Sequence, residues 1–150
     1  MTQAVRLSST FFYSLEKSIK AYRQFAQARI TRAGIDITLD QWLVLKMLQD
    51  YPDITLQQVA ADVFKDVASV TRIVQLLESK GHVMRLAHPD DGRRSSLSLT
   101  REGTFIVRAL EPIVTDNRKR ALKGVKSPQL DAAHVLLGRI TENCLTSSAR

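Results

Sequence analysis

One cysteine, Cys144, stands in 150 residues. A lone thiol cannot form an internal disulfide, so the fold must be held by its core, and a reducing cytoplasm is the expected compartment. No apolar run approaches the roughly 20 residues that a helix needs to span a bilayer. The opening stretch MTQAVRLSSTFFYSL has neither the apolar run nor the small-residue cleavage site of a secretory signal, so no leader is expected. Catalytic signatures are also missing. There is no G-x-x-x-x-G-K phosphate loop, no nucleophile elbow, and no pair of carboxylates sharing a helical face with a histidine. An enzyme would need converging titratable groups, so catalytic residues are expected to be none. The histidines His82, His88 and His134 have no tight ligand spacing, and neither a metal nor another cofactor is implied. Internal repeats, low-complexity tracts and flexible linkers are absent as well.

Acidic residues are the scarcer charge: 15 Asp and Glu face 22 Lys and Arg, a net charge of +7. That excess favours a polyanionic partner but says nothing about fold. A chain of 150 residues is long enough for one good core and reads most simply as one domain over 1–150.

The segment from Thr55 to Thr100 is the most informative part. Thr55 and Gln58 form a capping-box pattern, so a helix starts there, with Val59 and Ala60 on its apolar face. Asp66 is a good N-cap for a second helix. Val70, Ile73, Val74 and Leu77 then recur at i, i+3, i+4 and i+7, which makes a buried stripe. Gly81 follows Lys80 where a helix must turn off. Opposite the stripe lie Ala68, Arg72, Gln75 and Ser79, with Ser69 and Thr71 on the flanks and Lys65 just before the helix. Such residues suit base edges and phosphates: an alanine for a thymine methyl, a glutamine for adenine, an arginine for guanine or phosphate.

Val83–Leu86 and Ser95–Leu99 read as short strands, the second alternating strictly through Ser96, Leu97, Ser98 and Leu99. Between them, Pro89, Asp90, Asp91 and Gly92 are turn formers. Arg93 and Arg94 follow at the tip, where a planar guanidinium suits a narrow groove. Asp91 is expected to orient Arg93, since an acid facing DNA is otherwise unfavourable. Two short helices followed by a basic hairpin form a helix-turn-helix with a wing, a unit that grips duplex DNA.

The flanks read as helices. Phe12, Leu15, Ile19 and Tyr22 recur at helical spacing between Ser9 and about Ala33, with Gly34 as the end. Thr38 and Gln41 form another capping box before Trp42, Leu45, Met47 and Leu48, and Tyr51-Pro52-Asp53 closes that helix. Thr100 is placed to cap a long helix through Phe105, Val107, Leu110, Ile113 and Val114, which Pro112 should kink or split. Arg118, Lys119, Arg120, Lys123 and Lys126 form a basic run, read as a solvated face or loop. Ser127-Pro128 reads as a cap with proline at the first helical position. Leu130, Ala133, Leu137, Ile140 and Cys144 then form a last apolar face, on which Cys144 is expected as a buried thiol. Phe11, Phe12, Leu15, Ile19, Val135, Leu136, Leu137 and Ile140 lie outside the DNA-binding unit. They offer more apolar surface than a small lobe can cover, which marks an interface.

The chain resembles the MarR (multiple-antibiotic-resistance regulator) family of winged helix-turn-helix transcription factors. The resemblance rests on the pattern D-x-R-x-x-x-L-x-L-T-x-x-G, here Asp91, Arg93, Leu97, Leu99, Thr100 and Gly103. It also rests on the run SVTRIVQLLESKG from Ser69 to Gly81, and on TLDQWLVLKML from Thr38 to Leu48. It covers most of the chain, and the wing pattern is the more specific part. It implies a mainly α fold with a small β-wing (α+β), with N- and C-terminal helices forming a dimerisation region. On that basis 38–100 is the DNA-binding lobe, and 1–33 with 101–150 are the pairing helices.

The resemblance further implies a homodimer on double-stranded DNA carrying a palindromic operator. It implies a repressor whose affinity is changed by a small effector, here expected to be aromatic or phenolic. The DNA-contacting set is Lys65, Ala68, Ser69, Thr71, Arg72, Gln75, Asp91, Arg93 and Arg94. Phe12, Tyr13 and Trp42 are candidates for an effector pocket, although aromatics at helical spacing are more often core. Oxidation-sensing members carry a reactive cysteine in the first helix, and this first helix has none. The competing reading is a constitutive or architectural winged-helix protein without an effector.

Overall fold

The structure is a computed structural model that describes residues 5–87, 90 and 95–148. After a single 3-10 turn at Leu7–Ser9 come α1 (Phe11–Arg32), α2 (Leu39–Asp50), α3 (Leu56–Asp62) and α4 (Val67–Ser79). Strands β1 (Val83–Ala87) and β2 (Ser95–Leu99) follow, then α5 (Arg101–Ala121) and α6 (Ser127–Ser147). The mainly α chain with a small antiparallel sheet is the expected class. The chain divides into compact units Met1–Asn117 and Arg118–Arg150, with the boundary inside α5.

Local chemistry accounts for the element ends. Thr38 and Thr55 each accept from the backbone N–H three residues on, and Gln41 and Gln58 return the bond to the cap N–H. Asp66 accepts from the Ser69 N–H at 2.7 Å and opens α4. Two hydrogen bonds close α4: Gly81 N–H donates to Glu78 C=O at 3.0 Å and His82 N–H to Leu77 C=O at 2.9 Å. This geometry needs a left-handed residue, and Gly81 supplies it at φ +78°. Thr100 caps α5 by accepting from the Gly103 N–H at 3.0 Å.

The core belongs to the first unit. Ala26 and Ile30 of α1, Trp42, Val44, Leu45 and Leu48 of α2, and Val59 of α3 pack with Val70, Val74 and Leu77 of α4. Leu97 of β2 and Val107, Leu110 and Val114 of α5 complete it. Ile73 is half-buried at the edge of the α4 stripe. In the wing, Val83 pairs with Leu99 and Arg85 with Leu97, which turns Val83 and Leu97 into the core.

Several expectations are corrected. Pro112 does not split α5, which runs through it. The buried stripe Val107, Leu110 and Val114 holds both sides of the missing hydrogen bond in place. Phe105 is 72% exposed, off that stripe. Helix α6 starts one residue earlier than expected: Lys126 is the N-cap, its N–H donating to Gln129 Oε1, and Pro128 sits at the second helical position. Helix α6 contains no buried residue, and Cys144 is an exposed free thiol. The stripe on α1 is likewise largely uncovered: Phe12 is 62% and Ile19 50% exposed. Only the distal half of α1, at Ala26 and Ile30, reaches the core.

Candidate nucleic-acid interface

Helix α4 separates its residues cleanly. Val70, Val74 and Leu77 are fully buried, and Ala68, Arg72 and Gln75 lie exposed on the other side. Ser69 and Thr71 are half-buried on the flanks. Their hydroxyl protons are committed: Ser69 donates to Asp66 Oδ2 at 2.6 Å, and Thr71 donates to the Val67 carbonyl at 2.8 Å. Both hydroxyls are left as acceptors, which suits an exocyclic amine on a base edge. The Gln75 amide makes no hydrogen bond among the described residues and keeps both a donor and an acceptor.

The start of α4 is electrostatically defined. Hydrogen bonds from the Ser69 hydroxyl and then from its N–H hold the Asp66 carboxyl below the usual range, with the Arg72 charge adding to the effect. Just before it, Lys65 Nζ lies 3.0 Å from Asp40 Oδ2. Asp40, on α2, also accepts from Arg23 of α1. Burial pushes the Asp40 carboxyl up, but hydrogen bonds and charge from Lys65 and Arg23 outweigh this and leave it below its ordinary value. Thus Lys65 is tethered to α1 through a carboxylate. No local pattern shows Asp40 in that role, because its partners are distant in sequence.

The wing is fastened at its base. Arg85 Nε of β1 meets Glu78 Oε1 in the last turn of α4 at 2.6 Å. Thr100 Oγ1 donates to the Gly81 carbonyl at 2.6 Å, and its N–H donates to the His82 carbonyl at 3.0 Å. Gly103 comes so close to the same carbonyl that an added Cβ would lie 2.0 Å from His82 O. The second half of the sequence pattern therefore has a structural meaning. Leu97 packs the wing onto the core, and Thr100 and Gly103 lock wing, α4 and α5 to one another. The first half, Asp91 and Arg93, lies outside the described residues together with His88, Pro89, Gly92 and Arg94.

The remaining candidates separate. Phe12 and Tyr13 line an open hollow of about 740 Å³ on the first unit, with Leu7, Lys17 and Lys20. Trp42 does not line it; it is 4% exposed in the core. Among the described residues, no group of three or more His, Cys, Asp or Glu side chains is placed to hold a metal. None of the described helices is long and apolar enough to cross a membrane.

Residues 37–95 match the model of the MarR family. The HTH-type transcriptional repressor IacR of Pseudomonas putida is 22% identical over 135 residues, spanning 90% of this chain and 80% of that protein. The fold is similar to that of Bordetella bronchiseptica BpsR, with a TM-score of 0.82 at 20% identity over 93% of this chain and 98% of that one. It is also similar to MepR in the S. aureus MepR–DNA complex, with a TM-score of 0.81 at 18% identity over 93% and 99% of the two chains. Helix-turn-helix, pinned wing and flanking long helices, together with these matches, make the chain similar to the MarR family over residues 37–95 and similar in fold to BpsR and MepR over nearly its whole length.

Proposed function

We propose that this protein is a dimeric, sequence-specific repressor that reads a palindromic operator with α4 and is regulated by a small aromatic ligand. The observation that carries the DNA-reading part is the exposed face of α4. Ala68, Arg72 and Gln75 stand there with no partner in the core, on a helix whose last turn is bonded to the wing base. Lys65 and, at the wing tip, Arg93 and Arg94 supply phosphate and minor-groove contacts, and Asp91 orients Arg93. The reading lobe is 38–100, and the helices of 1–33 and 101–150 pair two copies within a single domain.

Pairing is supported by apolar residues that each unit leaves uncovered: Phe11 and Ile19 on α1, and Val135, Leu136 and Leu145 on α6. A patch of this kind on a small protein marks an interface. The hollow bearing Phe12 and Tyr13 also carries Lys17, beside the Lys20–Glu16 ion pair, and a cation next to aromatic walls suits an aromatic acid. BpsR, whose DNA binding is regulated by 6-hydroxynicotinic acid, shares the fold. No catalytic residue, metal or cofactor enters this reading, and its site of action is the cytoplasm, where the DNA is.

The test is a footprint on duplexes selected from a random library, together with the mass of the protein in solution. A dimer should protect an imperfect palindrome with half-site centres about 10 base pairs apart. Binding should weaken linearly in log–log form as salt rises, and Arg72→Ala should reduce that slope by about one. A monomer protecting one half-site overturns the proposal.

A further inference from the structure

The turn between α3 and α4 contains an anomaly. Helix α3 ends as α4 does, with Phe64 N–H to Ala61 C=O at 3.3 Å and Lys65 N–H to Ala60 C=O at 2.9 Å. The left-handed position that Gly81 fills in α4 is filled here by Phe64, at φ +59°. It is the single positive-φ residue other than glycine among the described residues. A bulky side chain in this region is strained, because its Cβ crowds the following carbonyl. Nor does burial offset the strain: Phe64 is 93% exposed, more than any other large apolar residue described. Folding alone favours glycine here on both grounds. Strain held without a structural return points to function.

Position says which function. Phe64 stands two residues before Asp66, the cap of α4, at the end of that helix that enters the groove. Val67 is 43% exposed and Ala68 is exposed in the first turn of α4, close to Phe64 in sequence, and Arg72 is exposed one turn further on. An apolar group presented there to B-DNA has one base-specific counterpart in the major groove, the thymine C5-methyl. We propose that Phe64 is a specificity-determining residue whose ring contacts a thymine methyl at one position of each operator half-site. This inference rests on the DNA-reading function proposed above.

Deoxyuridine scanning isolates the contact, because it deletes the methyl and keeps the hydrogen-bonding edge. The probe is a duplex selected by the wild-type protein from a randomised library, remade with deoxyuridine at each thymine in turn. For the wild type, one symmetric position should lose about fourfold in affinity, the worth of one buried methyl. Phe64→Gly should bind the all-thymine duplex about tenfold more weakly and be indifferent to deoxyuridine at that position. Its melting temperature should be no lower than that of the wild type, since glycine relieves the strain, and it should remain a dimer. Phe64→Leu, apolar but still strained, should restore part of the methyl sensitivity.

Equal losses for wild type and Phe64→Gly at every deoxyuridine would overturn the assignment, as would a uniform loss on all sequences, which marks a sugar contact. A destabilised or monomeric Phe64→Gly would overturn it too, by showing Phe64 to be a packing or pairing residue. A wild-type protein that selects no duplex at all refutes the parent reading instead.

Discussion

Replacing Gly103 by alanine should destabilise the protein, although the position is helical. Alanine in a helix interior is ordinarily better than glycine by about 1 kcal/mol. Here the new Cβ would lie 2.0 Å from the His82 carbonyl oxygen and 3.0 Å from its carbon. Carbon and carbonyl oxygen ordinarily approach no closer than about 3.3 Å, so the backbones must separate by about 1.3 Å. The obstacle is main chain and has no rotamer to change. Separation stretches the Thr100 N–H bond to His82 and the Thr100 hydroxyl bond to Gly81, each worth about 1 kcal/mol. Overpacking of this kind adds about 1–3 kcal/mol. Less the propensity gain, the net loss is about 2–4 kcal/mol, or about 6–12 °C in Tm for a chain of this size.

Thermal and urea unfolding at one fixed protein concentration measure it, because the stability of a protein that pairs depends on concentration. Gly34→Ala is the companion, with φ +75° and no heavy atom within 4 Å of the added Cβ. Strain alone should cost it about 1 kcal/mol. The wing base is what moves in Gly103→Ala, so its operator affinity should fall further than its folded fraction accounts for. A Gly103→Ala protein as stable as the wild type would refute the close-approach argument.

Gln75→Ala should relax base preference at one operator position by about 1–3 kcal/mol while leaving nonspecific affinity and Tm unchanged, because the residue lies opposite the buried stripe of α4. Selection on randomised half-sites reads this out, and equal weakening on every sequence would pass the reading role to Ser69, Thr71 and Arg72. Asp40 has a lowered folded-state pKa, so its stabilising contribution is complete above the unfolded value of about 3.9 and is lost as pH falls through the folded one. Asp40→Asn should therefore be less stable than wild type at pH 7, with the gap closing below about pH 4 in urea titrations. A gap that is constant across that range would show that the Arg23–Asp40–Lys65 link does not act through charge.

Sequence by itself determined what depends on neighbours a few residues apart. The capping boxes at Thr38 and Thr55, the Asp66 and Thr100 caps and the Gly81 turn are all contacts over three to five residues, so residue type and spacing specify them. The α4 stripe was legible for the same reason, since one period relates its residues and one core receives them. The exposed face of α4, and with it most of the candidate reading residues, followed as the complement.

Tertiary structure decided whatever depends on which face meets what. Trp42 and Phe12 both read as apolar helical positions, yet one is core and the other exposed, because α2 is enclosed by other elements and the first half of α1 is not. Cys144 and Phe105 carried the same ambiguity and resolved to the surface. The need for glycine at 103 comes from a carbonyl on the far side of the wing, and the tether on Lys65 from an aspartate on another helix. Phe64 is the sharpest case. No sequence pattern singles it out, and only the backbone of the turn, left-handed and open to solvent, shows an apolar ring turned away from the protein that carries it.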